Sequence, residues 1–242
     1  MTTSSGIHSP SIIAHRGASR DFPENTVAAF RGAIDQGADW VELDVRRTAD
    51  GVLVVHHDAD LGRPIAEQRA ADLPASVPTL AAALAACEHL GVNVEIKHAP
   101  HEPGFDPARS LAEATLAVIA DVARPATAPV LITSFDLGMI DRVHQLDPSM
   151  PTGLLTVGVV PERVERVVAL THDRGHVALH PDDASTDAAL VEAAHAAGLA
   201  CNVWTVDEPQ RLRELAALGV DGVITNVPAE ARRALGHDGP SR

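Results

Sequence analysis

Short β-branched runs alternate with Ala- and Leu-rich stretches along almost the whole chain. Ser11–His15 (SIIAH) reads as a first strand. Residues 24–36 place Val27, Phe30, Ala33 and Ile34 on one helical face, and Gly37 stops them. A second strand is predicted over 40–48. Asp50-Gly51 turns it, and 52–57 runs back as the other arm of a hairpin. The alternation then continues with a helix over 79–90, a strand over 93–97 and a helix over 109–122. Strands follow at Val130–Ser134, 153–157, 177–180, 200–206 and 222–226. Helices follow at 136–145, 162–171, 187–197, Pro209–Leu218 and 229–235. Eight consecutive βα units predict an α/β protein of the closed (β/α)8, or TIM, barrel class. An open doubly wound sheet would want fewer units and a glycine-rich first turn, and "HRGAS" carries no GxGxxG. One domain is expected over 11–236, between short tails at 1–10 and 237–242. The one long irregular stretch, 58–78, is placed as a reduced insertion or cap.

The strand faces change the picture. Residues two apart share a face. In the second strand Val41, Leu43 and Val45 oppose Trp40, Glu42 and Asp44. In the third, Val92, Val94 and Ile96 oppose Asn93, Glu95 and Lys97. A barrel's outward face lies under helices and must be apolar, so Glu42, Asp44, Glu95 and Lys97 point inward. Carboxylates on Glu42 and Asp44, with Cα atoms ~7 Å apart, repel in a partly dry interior unless one protonates or a cation sits between them. Glu95 on the neighbouring strand makes the cation the better answer. Three oxygen donors without a nearby cysteine suit Mg²⁺ or Ca²⁺ better than Zn²⁺.

Composition narrows the partners. The 242-residue chain carries a formal charge of −14, no Tyr, four Phe and two Trp. An acidic surface poor in aromatic rings argues against nucleic acid and against an anionic membrane. An anionic substrate would need a local positive centre. The N-terminus shows no basic-then-apolar leader, and no apolar run approaches the ~18 residues of a span, so a cytoplasmic protein is expected. Cys87 and Cys201 are expected to be buried free thiols.

Of thirteen histidines, His15 stands out because it ends an apolar strand, and the pair in "VVHHD" because it ends the hairpin return. His56 and His57 lie on opposite faces, so at most one enters the interior. Two imidazoles flanking a carboxylate-bound cation suit phosphodiester hydrolysis. One takes a proton from the attacking group and the other protonates the leaving oxygen. Arg16 or Lys97 would grip the non-bridging oxygens.

"HRG", "PENT", "ELDV", "HHD", "EIK", "SF" and "WTV", in that order over about 12–228, resemble the glycerophosphodiester phosphodiesterases. The resemblance implies a (β/α)8 barrel that cleaves small-molecule glycerophosphodiesters to sn-glycerol 3-phosphate and an alcohol. It implies that His15 and His57 are the catalytic pair, which selects His57 over His56. It implies that Glu42, Asp44 and Glu95 hold the metal, that Arg16 and Lys97 contact phosphate, and that Trp204 walls the glycerol or leaving group. The first nucleophile is the neighbouring glycerol hydroxyl or a water. Lysophospholipids are an alternative substrate, as lysophospholipase D, and a non-catalytic phosphodiester-binding barrel is a further reading. Two departures stand out. The segment after "HHD" is short and lacks a Thr, and Thr225-Asn226 stands where an acidic residue is common after the Thr. The second is expected to concern the barrel rim, and Glu24 and Asn25 are expected to play a structural part at a helix start.

Overall fold

A computed structural model describes residues 9–237; the outer parts of both expected tails, 1–8 and 238–242, lie outside the described residues. Eight parallel strands close into a barrel: β1 (Ser11–His15), β2 (Trp40–Arg47), β4 (Gly91–Ile96), β5 (Val130–Ser134), β6 (Thr152–Thr156), β7 (Ala178–Pro181), β8 (Ala200–Val203) and β9 (Gly222–Thr225). Closure comes from β1, which pairs in parallel with both β2 and β9. The expected hairpin is present. β3 (Leu53–Val55) runs antiparallel along β2, with Val45 opposite Val55 and Arg47 opposite Leu53. Its turn uses Gly51 at φ +83°, a conformation that glycine adopts without a Cβ penalty.

The helices lie outside the strands in chain order: α1 (Val27–Asp35), α2 (Leu80–Ala86), α3 (Ser110–Asp121), α4 (Leu137–Leu146), α5 (Val164–His172), α6 (Ala188–Ala196), α7 (Pro209–Leu218) and α8 (Pro228–Ala234). The main core sits between the two rings. Outward residues such as Ile12, Val41, Leu43, Val92, Val94, Ile132, Leu179 and Val223 are all fully buried, as are Phe30, Leu84, Ile140 and Leu190 from the helices. Burial of each large apolar side chain contributes about 1.5–3 kcal/mol, which fixes the strand register and therefore which residues face inward.

Inside the barrel the packing alternates large and small. A Cβ on Gly91 would lie 2.2 Å from the Trp40 ring, so the neighbouring strand must be bare where the indole crosses it. Higher up, Thr133 Oγ1 donates to Asn93 Oδ1 at 2.9 Å, and Asn202 Nδ2 sits 2.9 Å from Nε2 of the fully buried His180. Burial pushes the His180 imidazole down to about 3, so it is neutral packing material.

Several boundaries differ from the sequence expectation. α1 starts at Val27, because Thr26 caps it by accepting from Ala29 N at 3.2 Å, a cap worth ~1 kcal/mol. Glu24 and Asn25 are therefore loop residues. α2 ends at Ala86, before Glu88 turns through φ +46°. β8 stops at Val203. Trp204 leaves the ladder for a single bridge to Asp182, and a cis peptide joins it to Thr205. The segment 58–78 holds two short 3-10 turns, Ile65–Glu67 and Ala70–Asp72, anchored by the buried Ile65.

Candidate active site

The carboxyl ends of β1, β2 and β4 bring the predicted polar residues together. Register places Glu42 beside both His15 and Asn93, and Asp44 beside Glu95. One donor atom from each of Glu42, Asp44 and Glu95 falls within 4.8 Å of the others, and all three residues are buried. His15, Arg16, Glu42, His57, Asn93, Glu95, Lys97, Phe135, Leu155, Trp204 and Ile224 line one cavity of about 170 Å³.

The cluster is wired tightly on one side. Lys97 Nζ lies 2.9 Å from Asp44 Oδ1 and 2.6 Å from Glu95 Oε1. Arg16 Nε lies 3.3 Å from Asp44 Oδ2, while the Arg16 amide donates to Glu42 Oε2 at 3.0 Å. That amide reaches Glu42 from a left-handed backbone, φ +56°, which costs about 1–3 kcal/mol in a residue with a Cβ. Glu42 Oε1 has no hydrogen-bond partner among the described residues. An orphaned, buried carboxylate oxygen beside two more carboxylates is a donor set that suits a hard divalent cation.

The electrostatics agree. Burial, then repulsion from Asp44 and Glu95, pushes the Glu42 carboxyl well above its usual range. Burial pushes Glu95 up to about 7; Lys97 opposes the rise and Asp44 adds to it. Burial alone would raise Asp44 too, yet Lys97 and Arg16, with a hydrogen bond from Asn25, hold it below its usual value. Without a cation the site therefore retains protons that a divalent ion would displace.

The two neighbouring histidines part company. His57 lines the 170 Å³ cavity and also an outer groove of about 340 Å³ shared with Arg46, Asp58, His101, Glu102 and Phe135. Its carbonyl is clamped by Arg46, at 2.8 Å from Nε, and its Nδ1 lies 2.8 Å from Asp58 Oδ1. His56 lines a different groove, with Pro23, Val27, Leu61 and Val77. Trp204 is held by its indole N–H, which donates to the His180 carbonyl at 2.8 Å.

Four residues that sequence reasoning did not place in the site belong to it. Phe135 meets Trp204 edge-to-face at 5.5 Å between centroids and is 45 % exposed. The "SF" at the junction of β5 and the following loop is its sequence signal. Asn25 is no simple helix-start residue. It is buried at φ +57°, and its Nδ2 donates to Asp44 Oδ2 at 2.7 Å. Glu24 accepts from Arg16 Nη1 with both oxygens, at 2.9 and 3.0 Å. Asn226 lies against His15, with Oδ1 2.8 Å from Nδ1, so the departure at 226 touches the site and not merely the rim.

Known proteins share the sequence pattern and the fold. The sequence profile of the glycerophosphoryl diester phosphodiesterase family matches residues 15–230. The chain is 30 % identical to a glycerophosphodiester phosphodiesterase of Caldanaerobacter subterraneus subsp. tengcongensis, over 90 % of this chain and 94 % of that one. It is 33 % identical to the probable glycerophosphodiester phosphodiesterase 2 of Mycobacterium tuberculosis, over 88 % and 86 %. An Oleispira antarctica phosphodiesterase, solved in complex with the product sn-glycerol-3-phosphate, superposes with a TM-score of 0.84 at 26 % identity. That match covers 94 % of this chain and 97 % of the other.

Proposed function

The chain belongs to the glycerophosphoryl diester phosphodiesterase family, and from that premise we propose a metal-dependent hydrolysis of glycerophosphodiesters to sn-glycerol 3-phosphate and an alcohol by two histidines. The observation that carries it is the convergence of three buried carboxylates, two cations and two imidazoles at one cavity mouth. Glu42, Asp44 and Glu95 would hold Mg²⁺ or Ca²⁺, which when bound offsets the phosphoryl charge and polarises its oxygens. Such a centre answers the charge problem of a −14 protein with an anionic substrate, since the attraction is local.

The rest of the chemistry belongs to the chain's own residues. Arg16 and Lys97 grip the non-bridging oxygens. Trp204 and Phe135 wall the glycerol. His15 lines the inner cavity and not the outer groove, so it takes the proton from the attacking group, whether the adjacent glycerol hydroxyl or a water. Burial, and then Arg16, lower its affinity for a proton, which keeps the imidazole in the neutral form a base requires. His57 stands where the cavity meets the outer groove, so it protonates the alcohol that leaves through that groove.

The outer groove is lined largely by charged and polar side chains, which favours a small polar alcohol over an acyl chain. No helix among the described residues is long and apolar enough to cross a membrane. The test is a panel of glycerophosphodiesters and lysophospholipids, assayed after chelation and with Mg²⁺ or Ca²⁺ added back. Release of glycerol phosphate only with the cation supports the reading. Full turnover by chelated protein, or turnover of lysophospholipids alone, overturns it.

A further inference from the structure

His15 is joined to a chain of hydrogen bonds that runs away from the substrate cavity. Asn226 Oδ1 lies 2.8 Å from His15 Nδ1 and also accepts from Ser19 Oγ at 2.9 Å. Asn226 Nδ2 donates to Asp207 Oδ2 at 2.7 Å. Asp207 is itself pinned through Oδ1, which accepts from the Asn226 amide at 2.8 Å and from Thr225 Oγ1 at 2.9 Å.

The donor and acceptor inventory leaves one solution. An ionised carboxylate only accepts, so the Asn226 group facing Asp207 is the NH₂ and the group facing His15 is the carbonyl oxygen. A carbonyl oxygen also only accepts, so His15 Nδ1 carries the hydrogen. The neutral ring is then held as the Nδ1–H tautomer with its lone pair on Nε2. We propose that Asp207 and Asn226 are positioning residues that set the tautomer and ring orientation of His15, with Asp207 acting one hydrogen bond removed. The inference rests on the reading of His15 as the proton acceptor.

Asp207→Asn reverses the logic. The new amide keeps its oxygen toward Thr225 and the 226 amide, and so turns its NH₂ toward Asn226. Asn226 must flip, and its own NH₂ now faces His15, which selects the Nε2–H tautomer. Asn226→Asp alone sets two carboxylates in hydrogen-bond contact. The double variant Asp207→Asn/Asn226→Asp again presents an acceptor to His15 and a donor between the two side chains.

The experiment uses the full chain loaded with Mg²⁺ and labelled with ¹⁵N. The ring nitrogens of His15 are identified by their loss in His15→Ala and read at alkaline pH, where the imidazole is neutral. The expected results are Nδ1–H in the parent and Nε2–H in Asp207→Asn. In Asp207→Asn, kcat should fall ~100-fold with KM within ~3-fold, since a mis-set acid–base group forfeits about 10²–10⁴ in rate. The double variant should recover at least ~10-fold of that loss. An Nε2–H ring in the parent overturns the inference, and so does unchanged kcat in Asp207→Asn, or a double variant no faster than either single one. Should Asp207→Asn not fold, the parent spectrum and Asn226→Asp, expected slower than the parent at similar KM, still decide it. Turnover surviving His15→Ala would instead sink the reading of His15 as the base.

Discussion

Asn25 and Asp44 are bound to each other twice: Asn25 Nδ2 donates to Asp44 Oδ2 at 2.7 Å, and the Asp44 amide donates to Asn25 Oδ1 at 3.3 Å. Asn25 stands at φ +57° before α1, a conformation that asparagine tolerates better than most residues. It therefore fixes the loop and aims the carboxylate at once. Asn25→Ala should weaken Mg²⁺ binding about 10- to 100-fold, the usual cost of losing a group that orients a metal ligand. Calorimetric titration of the chelated variant measures it. Affinity equal to the parent would show that Asp44 needs no such support.

The acid–base state of the cluster predicts how the cation stabilises the fold. Glu95 is pushed up to about 7, first by burial. In cation-free protein the folded state thus holds this proton more tightly than the unfolded chain. That contribution to stability is full below the unfolded value of about 4.3 and is lost as pH rises through about 7. A bound divalent ion replaces the proton, so its stabilisation grows over the same window. At 100 times Kd the gain is about 2.7 kcal/mol, or roughly 5–10 °C in Tm for a chain of this size. Melting with Mg²⁺ and with chelator should show the gap widening from about pH 5 to about pH 8. A gap independent of pH would show that no proton is displaced.

The barrel and the carboxylate cluster were legible because both rest on period-two alternation. Val41, Leu43 and Val45 must face the helices, so Glu42 and Asp44 have nowhere to go but inward. The contacts that tune the site were not legible, because they join residues far apart in the chain. Nothing local links Asn226 to His15 across 211 positions, or Asn25 to Asp44 across 19. "PENT" read as a helix start because the cap and the loop share residue types, and only the backbone of Asn25 separates them. The "SF" pattern gives Phe135 no role, since an aromatic after a strand does not reveal whether it faces a cavity.

Cys87 and Cys201 are both free and buried. Burial pushes each thiol up to about 12, with Arg124 opposing at Cys87 and Asp221 adding at Cys201. The thiolate is the reactive form, and it is scarce near neutral pH in the folded state. A thiol reagent such as a disulfide dye should therefore titrate essentially no cysteine in native protein and both in denaturant. Fast native labelling of either residue would mean that its helix or strand opens readily.

The parting of His56 and His57 gives a direct test of which imidazole serves the leaving group. His57 faces the cavity and the outer groove and is clamped through its carbonyl by Arg46, whereas His56 lies in another groove with its Nδ1 3.1 Å from the Asp58 carbonyl. His57→Ala should lower kcat by about 10²–10⁴ on diesters with a poor alcohol leaving group, the range for loss of a general acid. Mg²⁺ affinity should stay within a few-fold, because the three carboxylates are untouched. A substrate whose leaving group needs no proton, such as a nitrophenyl ester, should recover most of the loss in His57→Ala but not in His15→Ala, because a base acts on the attacking group whatever departs. His56→Ala should leave kcat within about threefold for every substrate, since it lines neither the cavity nor the outer groove. If His56→Ala proves the more damaging change, or if the nitrophenyl ester rescues His15→Ala instead, the proton-transfer roles assigned from these cavities are reversed or misplaced.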